Sequence, residues 1–172
     1  GQPINIATIY QELFLSVLER DAEKQGLLRP QDRRDILKAL AAYLHCEKLG
    51  PQKSDDLERW FDHFAIEHAG IKLILASAQS NARDILHTEL ENASFLVRGS
   101  DDRFSFSHTS YFEYFLALAI MDVMQDPSQL QRFTEQPTSP ETRDFCRAIA
   151  EQEQSQAVFE ATMQRMLRSD VD

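Results

Sequence analysis

Phe104-Ser-Phe-Ser-His-Thr-Ser-Tyr-Phe-Glu-Tyr-Phe115 is the stretch that decides the fold. Its first three residues alternate aromatic, polar, aromatic, which is the period of a strand. After His108 the period changes. Phe112, Phe115, Leu116, Ala119, Ile120 and Val123 recur three and four apart, as on one broad helical face. Ser110-Tyr-Phe-Glu113 has the form of a capping box. In such a box the serine hydroxyl accepts from one free backbone N–H and the glutamate reaches back to another. The stretch predicts a strand that turns at once into a deeply buried helix, with His108 at the junction. Asp126-Pro127 ends that helix.

Upstream, Phe95-Leu-Val97 is a second short apolar run, separated from Phe104 by the polar loop Arg98-Gly-Ser-Asp-Asp-Arg103. The two runs predict a β-hairpin. Helical patterns come before it. Ile6, Ile9, Tyr10, Leu13, Phe14, Val17 and Leu18 share one face, and Gly26 is read as the left-handed residue after the last turn. Pro30 opens a second helix, with Asp32 near its start and Ile36, Leu37, Leu40, Ala41 and Leu44 facing inward; Gly50-Pro51 stops it. Ser54 is the expected cap of a third helix whose stripe is Leu57, Trp60, Phe61 and Phe64. Ile71 to Leu75 fits either strand or helix, and another helix begins near Ser80 or Asn81 with Ile85, Leu86 and Leu90 inward.

Downstream, Ser139-Pro140-Glu141 starts a helix continued by Phe145, Cys146 and Ile149, and Val158 to Leu167 gives a last one. The expected fold is mainly α, a winged-helix-like domain with a small β-hairpin followed by a helical extension. Its parts are a first helical segment over residues 1–27, the winged-helix-like domain over 28–107 and a C-terminal helical region over 108–172.

Composition narrows the function. The chain has 172 residues, 42% of them hydrophobic and 27% charged, which fits a globular core and argues against disorder. Its formal net charge of -10, with no run of Lys and Arg, disfavours nucleic acid and anionic membrane as partners. Its longest apolar run, Phe112 to Met124, is interrupted by charge and falls short of the ~20 residues of a membrane span. Cys46 and Cys146 read as buried free thiols in a reducing cytosol, and no signal peptide is seen. The five glycines precede no Lys-Ser or Lys-Thr pair, so the chain carries no phosphate-binding loop. Histidines and acids lack metal-ligand spacing, and no nucleophile elbow is readable. A self-contained enzyme is not expected, and no cofactor is expected in the chain itself.

His108 is the sharp residue. It stands just outside a helix N-terminus, where unpaired N–H groups and the helix dipole attract anions. From spacing alone the bland reading prevails, a half-buried core histidine among Phe104, Phe106, Phe112 and Phe115. A resemblance changes that weighting. Residues Phe104 to Ala117 resemble the "F-x-H-x-S-F-Q-E-F-F-A-A" signature of NACHT-type STAND NTPases, where the motif closes a winged helix and opens the next helix. Weaker matches follow in the same order. Thr8-Ile-Tyr10 resembles the family's "T-x-L-Y" helix, Pro30 through Leu44 its "K-x-x-L-L-x-x-L-A" helix, and Phe95-Leu-Val97 the strand read there as "G-L-L". Pro140-Glu-Thr-Arg-Asp-Phe145 is similar to a later helix. Tyr111-Phe112 stands where the family often has Phe-Gln, and the hairpin loop with Ser100-Asp101-Asp102 is unusually acidic.

The resemblance implies a non-catalytic regulatory piece of a signalling NTPase. It implies that His108 senses the phosphate of ATP or ADP bound elsewhere in the parent protein, with Ser110 and Glu113 supporting the helix end. The partners implied are the NTPase core of the same polypeptide and further copies on activation, in the cytoplasm and in defence signalling. The opening Gly1-Gln2-Pro3, without Met, reads as an excised piece, with Walker motifs expected before residue 1 and a sensor or repeat domain after residue 172. The alternatives are a stand-alone helical interaction module and, against the charge, a DNA-binding winged helix.

Overall fold

The computed structural model describes residues 5–23, 26–77, 81–124 and 126–169. Their order is α1 (Ile6–Ala22), α2 (Pro30–Cys46), β1 (Gln52–Lys53), α3 (Ser54–Glu67), α4 (Ala69–Ala76), α5 (Ala82–Glu91), β2 (Leu96–Arg98), β3 (Arg103–Phe106), α6 (Thr109–Val123), α7 (Pro127–Thr134) and α8 (Pro140–Ser169). The domain is mainly helical, with one small open antiparallel sheet of order β1-β3-β2.

Helix α6 is the axis of the core. Tyr114 through Ala119 are all buried, so this helix is apolar nearly all round and must be covered on several sides. It packs chiefly on α2 and α8, and α1 lies against both of those helices. Phe115 is fully buried. Its ring centroid lies 4.9 Å from that of Phe14 and 5.6 Å from that of Phe95. Phe14 also meets Tyr114 at 4.5 Å. Burying one such ring stabilises the fold by about 1.5–3 kcal/mol, and each aromatic pair adds roughly 0.5–1.5 kcal/mol. These rings come from α1, the turn before β2, and α6, so they join the first helical segment to the hairpin and the C-terminal helices.

The hairpin forms as expected. Leu96 pairs with Phe106 and Arg98 with Phe104. Asp102 supplies the left-handed turn residue at φ 65°, and its carboxylate accepts from Arg98 Nε at 2.5 Å. The acidic loop is thus turn chemistry. A third strand joins it, with Gln52 opposite Phe104 and Lys53 opposite Arg103. Two residues are too few to show alternation, so β1 left no periodic signal.

Several boundaries differ from expectation. Ile71–Leu75, which the sequence left open between strand and helix, is helical, within α4, because His68 caps that helix and Ile71 is buried. Asp126-Pro127 ends α6 and also starts α7: the Asp126 carboxylate accepts from the N–H groups of Ser128 and Gln129. The two expected final helices are one 30-residue helix, α8. Between Ile149 and Val158 the chain holds no glycine or proline to break it. Ser54 is the first residue of α3 rather than its cap, and its hydroxyl donates to Glu91. The expected start at Ser80 lies outside the described residues; α5 begins after Asn81.

Gly26 has no left-handed backbone. A Cβ there would stand 2.5 Å from Arg33 Nη2 and 2.5 Å from Glu89 Oε2. Close approach to the Arg33–Glu89 ion pair explains the glycine. Cys46 and Cys146 are free and half-buried, a little more open than expected.

Candidate functional site

The junction of β3 and α6 is built by the change of period that the sequence shows. Ser107 donates its backbone N–H to Phe95 O at 2.8 Å, which closes the hairpin one residue before His108. Phe106 packs on Phe112 at 5.7 Å across the corner. His108 itself remains extended, at φ -146° and ψ 141°, and the helix starts with Thr109.

His108 is the N-cap of α6. Its Nδ1 accepts the backbone N–H of Ser110 at 3.2 Å, and Ser110 Oγ lies 2.6 Å from the same nitrogen. A backbone N–H can only donate, so Nδ1 carries no proton in this arrangement and the ring N–H sits on Nε2. The ring leans on Tyr111 at 5.8 Å and is otherwise exposed. No partner for Nε2 is present among the described residues. The site therefore offers one outward N–H donor beside the positive end of a 15-residue helix.

His68 shows what that geometry looks like when it is closed. It caps α4 in the same way, with Nδ1 accepting from Ile71 N–H at 3.4 Å. Its Nε2 faces Asp35 Oδ2 at 3.2 Å, so its second nitrogen is satisfied inside the chain. Sequence reading set the histidines aside for want of metal-ligand spacing and missed this capping role of His68. The signal was a histidine immediately before an apolar run of helical length.

The expected capping box is not formed. Ser110 lies inside the helix and bonds to His108 instead of capping through its own hydroxyl. Glu113 does not reach back. It is 8% exposed and accepts from Ser139 Oγ at 2.9 Å. Ser139 in turn caps α8, accepting Thr142 N–H at 3.0 Å. The imidazole of His108 holds the cap position, so the glutamate is released to join the second turn of α6 to the start of α8. Of the three residues read from the sequence, His108 and Ser110 are together, and Glu113 serves the neighbouring helix end.

Ser110 Oγ is close to an imidazole nitrogen, but that nitrogen is already committed to a backbone N–H, and among the described residues no carboxylate orients the ring from Nε2. Burial pushes the thiols of Cys46 and Cys146 up, which keeps them protonated and weakly nucleophilic. Among the described residues no group of His, Cys, Asp and Glu gathers as a metal ion would need. Among them, too, no helix is long and apolar enough to cross a membrane. Comparison with protein-family models, curated proteins and solved structures finds no match to this chain.

Proposed function

We propose that this chain is a non-catalytic regulatory part of a NACHT-type STAND signalling NTPase, and that His108 reports the state of a nucleotide held by the rest of that protein. One observation carries the reading: of two histidines that cap helices through Nδ1, His68 has its Nε2 satisfied by Asp35, whereas His108 presents its Nε2–H outward. An exposed donor at a helix N-terminus suits a phosphate oxygen. The helices α2, α3 and α5 followed by the β2–β3 hairpin support a winged-helix-like description, and β1 extends that hairpin into a sheet.

On this reading the closed protein holds ADP or ATP between its NTPase core and the α6 end. The Glu113–Ser139 bond and the extensive α6–α8 packing make the His108 corner and α8 move as one body. Departure of His108 from the phosphate then carries α8 with it, and the opened molecule meets further copies in the cytoplasm. In the full-length protein, His108→Leu is expected to lower nucleotide retention and raise basal activity. Unchanged values for both would sink the proposal. A glycine-rich loop ending in Lys-Ser or Lys-Thr upstream of Gly1 supports it, and a complete upstream sequence without one argues for a stand-alone interaction module.

A further inference from the structure

A groove of about 1280 Å³ runs along α2, between α3 on one side and the end of α6 with α7 on the other. Its volume exceeds the roughly 300–1,000 Å³ of small-molecule pockets, so it has room for a polypeptide segment. Tyr43, Trp60, Phe64 and His68 form a row of rings along it, at successive centroid distances of 5.9, 5.6 and 5.1 Å. Tyr43 is late in α2 and meets Trp60, whereas Asp35 is early in α2 and meets His68. The two helices therefore run in opposite senses and leave a straight channel with an aromatic wall. Ala39 and Ala42 keep its floor low.

Its charge is distributed in a particular way. Acids lining the groove outnumber fixed cations five to three. Lys38 is taken by Asp35 and Asp122, and Arg59 by Asp56. Glu47, beyond the Tyr43 end, and Glu67, at the His68 end, are exposed and have no ion-pair partner among the described residues. Arg132 on the α7 wall is the one lining cation without an acid partner among them. An apolar centre with an unpaired carboxylate at each end complements a helix that carries a central apolar stripe and a basic residue toward each terminus.

We propose that this groove docks a basic amphipathic helix of a partner protein, with its apolar stripe on Trp60 and Phe64 and its cations at Glu47 and Glu67. This inference does not rest on the nucleotide-sensing reading, because it uses none of the His108 corner. Trp60 is the single tryptophan of the chain, so its emission reports occupancy directly.

The test titrates the chain with a Leu/Lys amphipathic peptide of about four turns and with its Leu/Glu counterpart of the same apolar pattern. The Leu/Lys peptide is expected to shift Trp60 emission saturably and to protect α2 and α3 amides from hydrogen exchange. Glu47→Gln with Glu67→Gln is expected to weaken it about two- to ten-fold at low salt. Glu151→Gln with Glu153→Gln, which removes the same charge from the exposed side of α8, is expected to leave it unchanged. Four outcomes would overturn the proposal: no saturable shift, an equal response to the Leu/Glu peptide, equal weakening by both variant pairs, or a Trp60 shift that follows chain concentration without peptide and so marks a second copy as the occupant.

Discussion

Replacing Glu89 by alanine should be the most damaging single change on the α1–α2–α5 side of the domain. Glu89 Oε2 stands 2.5 Å from Arg33 Nη2, and the two side chains are 11% and 7% exposed. The same carboxylate accepts the backbone N–H of Leu27 and, at 3.2 Å, that of Leu28. Arg33 also donates from Nε to Leu28 O at 3.2 Å. One acid thus satisfies the turn before α2, the first turns of α2 and the face of α5. Glu89→Ala leaves a buried guanidinium without its charge partner and two N–H groups without an acceptor. Breaking one side of such a pair costs about 3–5 kcal/mol. Against a total of roughly 5–15 kcal/mol, that is at least about a fifth of the stability. At about 2–4 °C per kcal/mol for a domain of this size, the midpoint should fall by roughly 6–20 °C. Urea denaturation followed by both circular dichroism and Trp60 emission would measure the loss and check that the transition stays two-state. The unpaired guanidinium is one part of the loss, so Arg33→Met with Glu89→Leu should recover that part of the deficit while the Leu27 and Leu28 N–H groups still lack their acceptor. A Glu89→Ala protein within about 0.5 kcal/mol of the parent would refute the reasoning, and so would a double variant no better than the single one.

Three further outcomes follow from neighbouring contacts. Gly26→Ala should destabilise by about 1–3 kcal/mol, since its Cβ would press on the same ion pair at 2.5 Å; thermal melting reads this directly. Glu113→Ala and Ser139→Ala should each cost about 1–2 kcal/mol, and the double variant should cost less than their sum because they share one hydrogen bond; chemical denaturation of the three proteins measures the coupling. The hydrogen bond from the Arg29 guanidinium holds the Asp32 carboxyl below its ordinary value of 3.8. Its folded pKa is depressed, so its stabilisation is present above pH about 4 and is lost as pH falls through the folded value. The stability gap between the parent and Asp32→Asn should therefore narrow only in that acid window, as followed by urea midpoints at stepped pH.

What the sequence revealed depended on whether a signal was periodic or single. Helical faces of three- and four-residue spacing located α1, α2, α3, α5 and α6, because burial of a stripe is repeated at every turn. The hairpin was legible for the same reason, with Phe104 and Phe106 in period and Asp102 suited to the turn. Strand β1 was not, since Gln52 and Lys53 are polar and owe their conformation to β3 alone. Caps were the weakest point. Ser54, Ser110 and Glu113 all have residue types that suit a cap, yet Ser54 donates to Glu91, Ser110 serves His108, and Glu113 reaches a serine 26 residues away. Local rules could not foresee these, because the deciding partners come from other elements. His108 was singled out through the family resemblance, since spacing alone read it as a half-buried core residue, and the structure leaves its ring exposed instead. The Nδ1 cap supplies half of a structural explanation for it and leaves the Nε2–H as the part that a structural role does not use.

That division makes the central claim open to a clean measurement. In the full-length protein, the rate of ADP release should be compared for the parent, His108→Leu and His108→Asn. Asparagine is a strong N-cap and should preserve the start of α6, but it cannot extend a donor to where Nε2 stands. If His108 holds a phosphate through Nε2, both variants should release ADP about 10- to 100-fold faster, the loss of one hydrogen bond to a charged group. If His108→Asn releases ADP at the parental rate, the imidazole is a helix cap and nothing more, and the proposed sensing role is wrong.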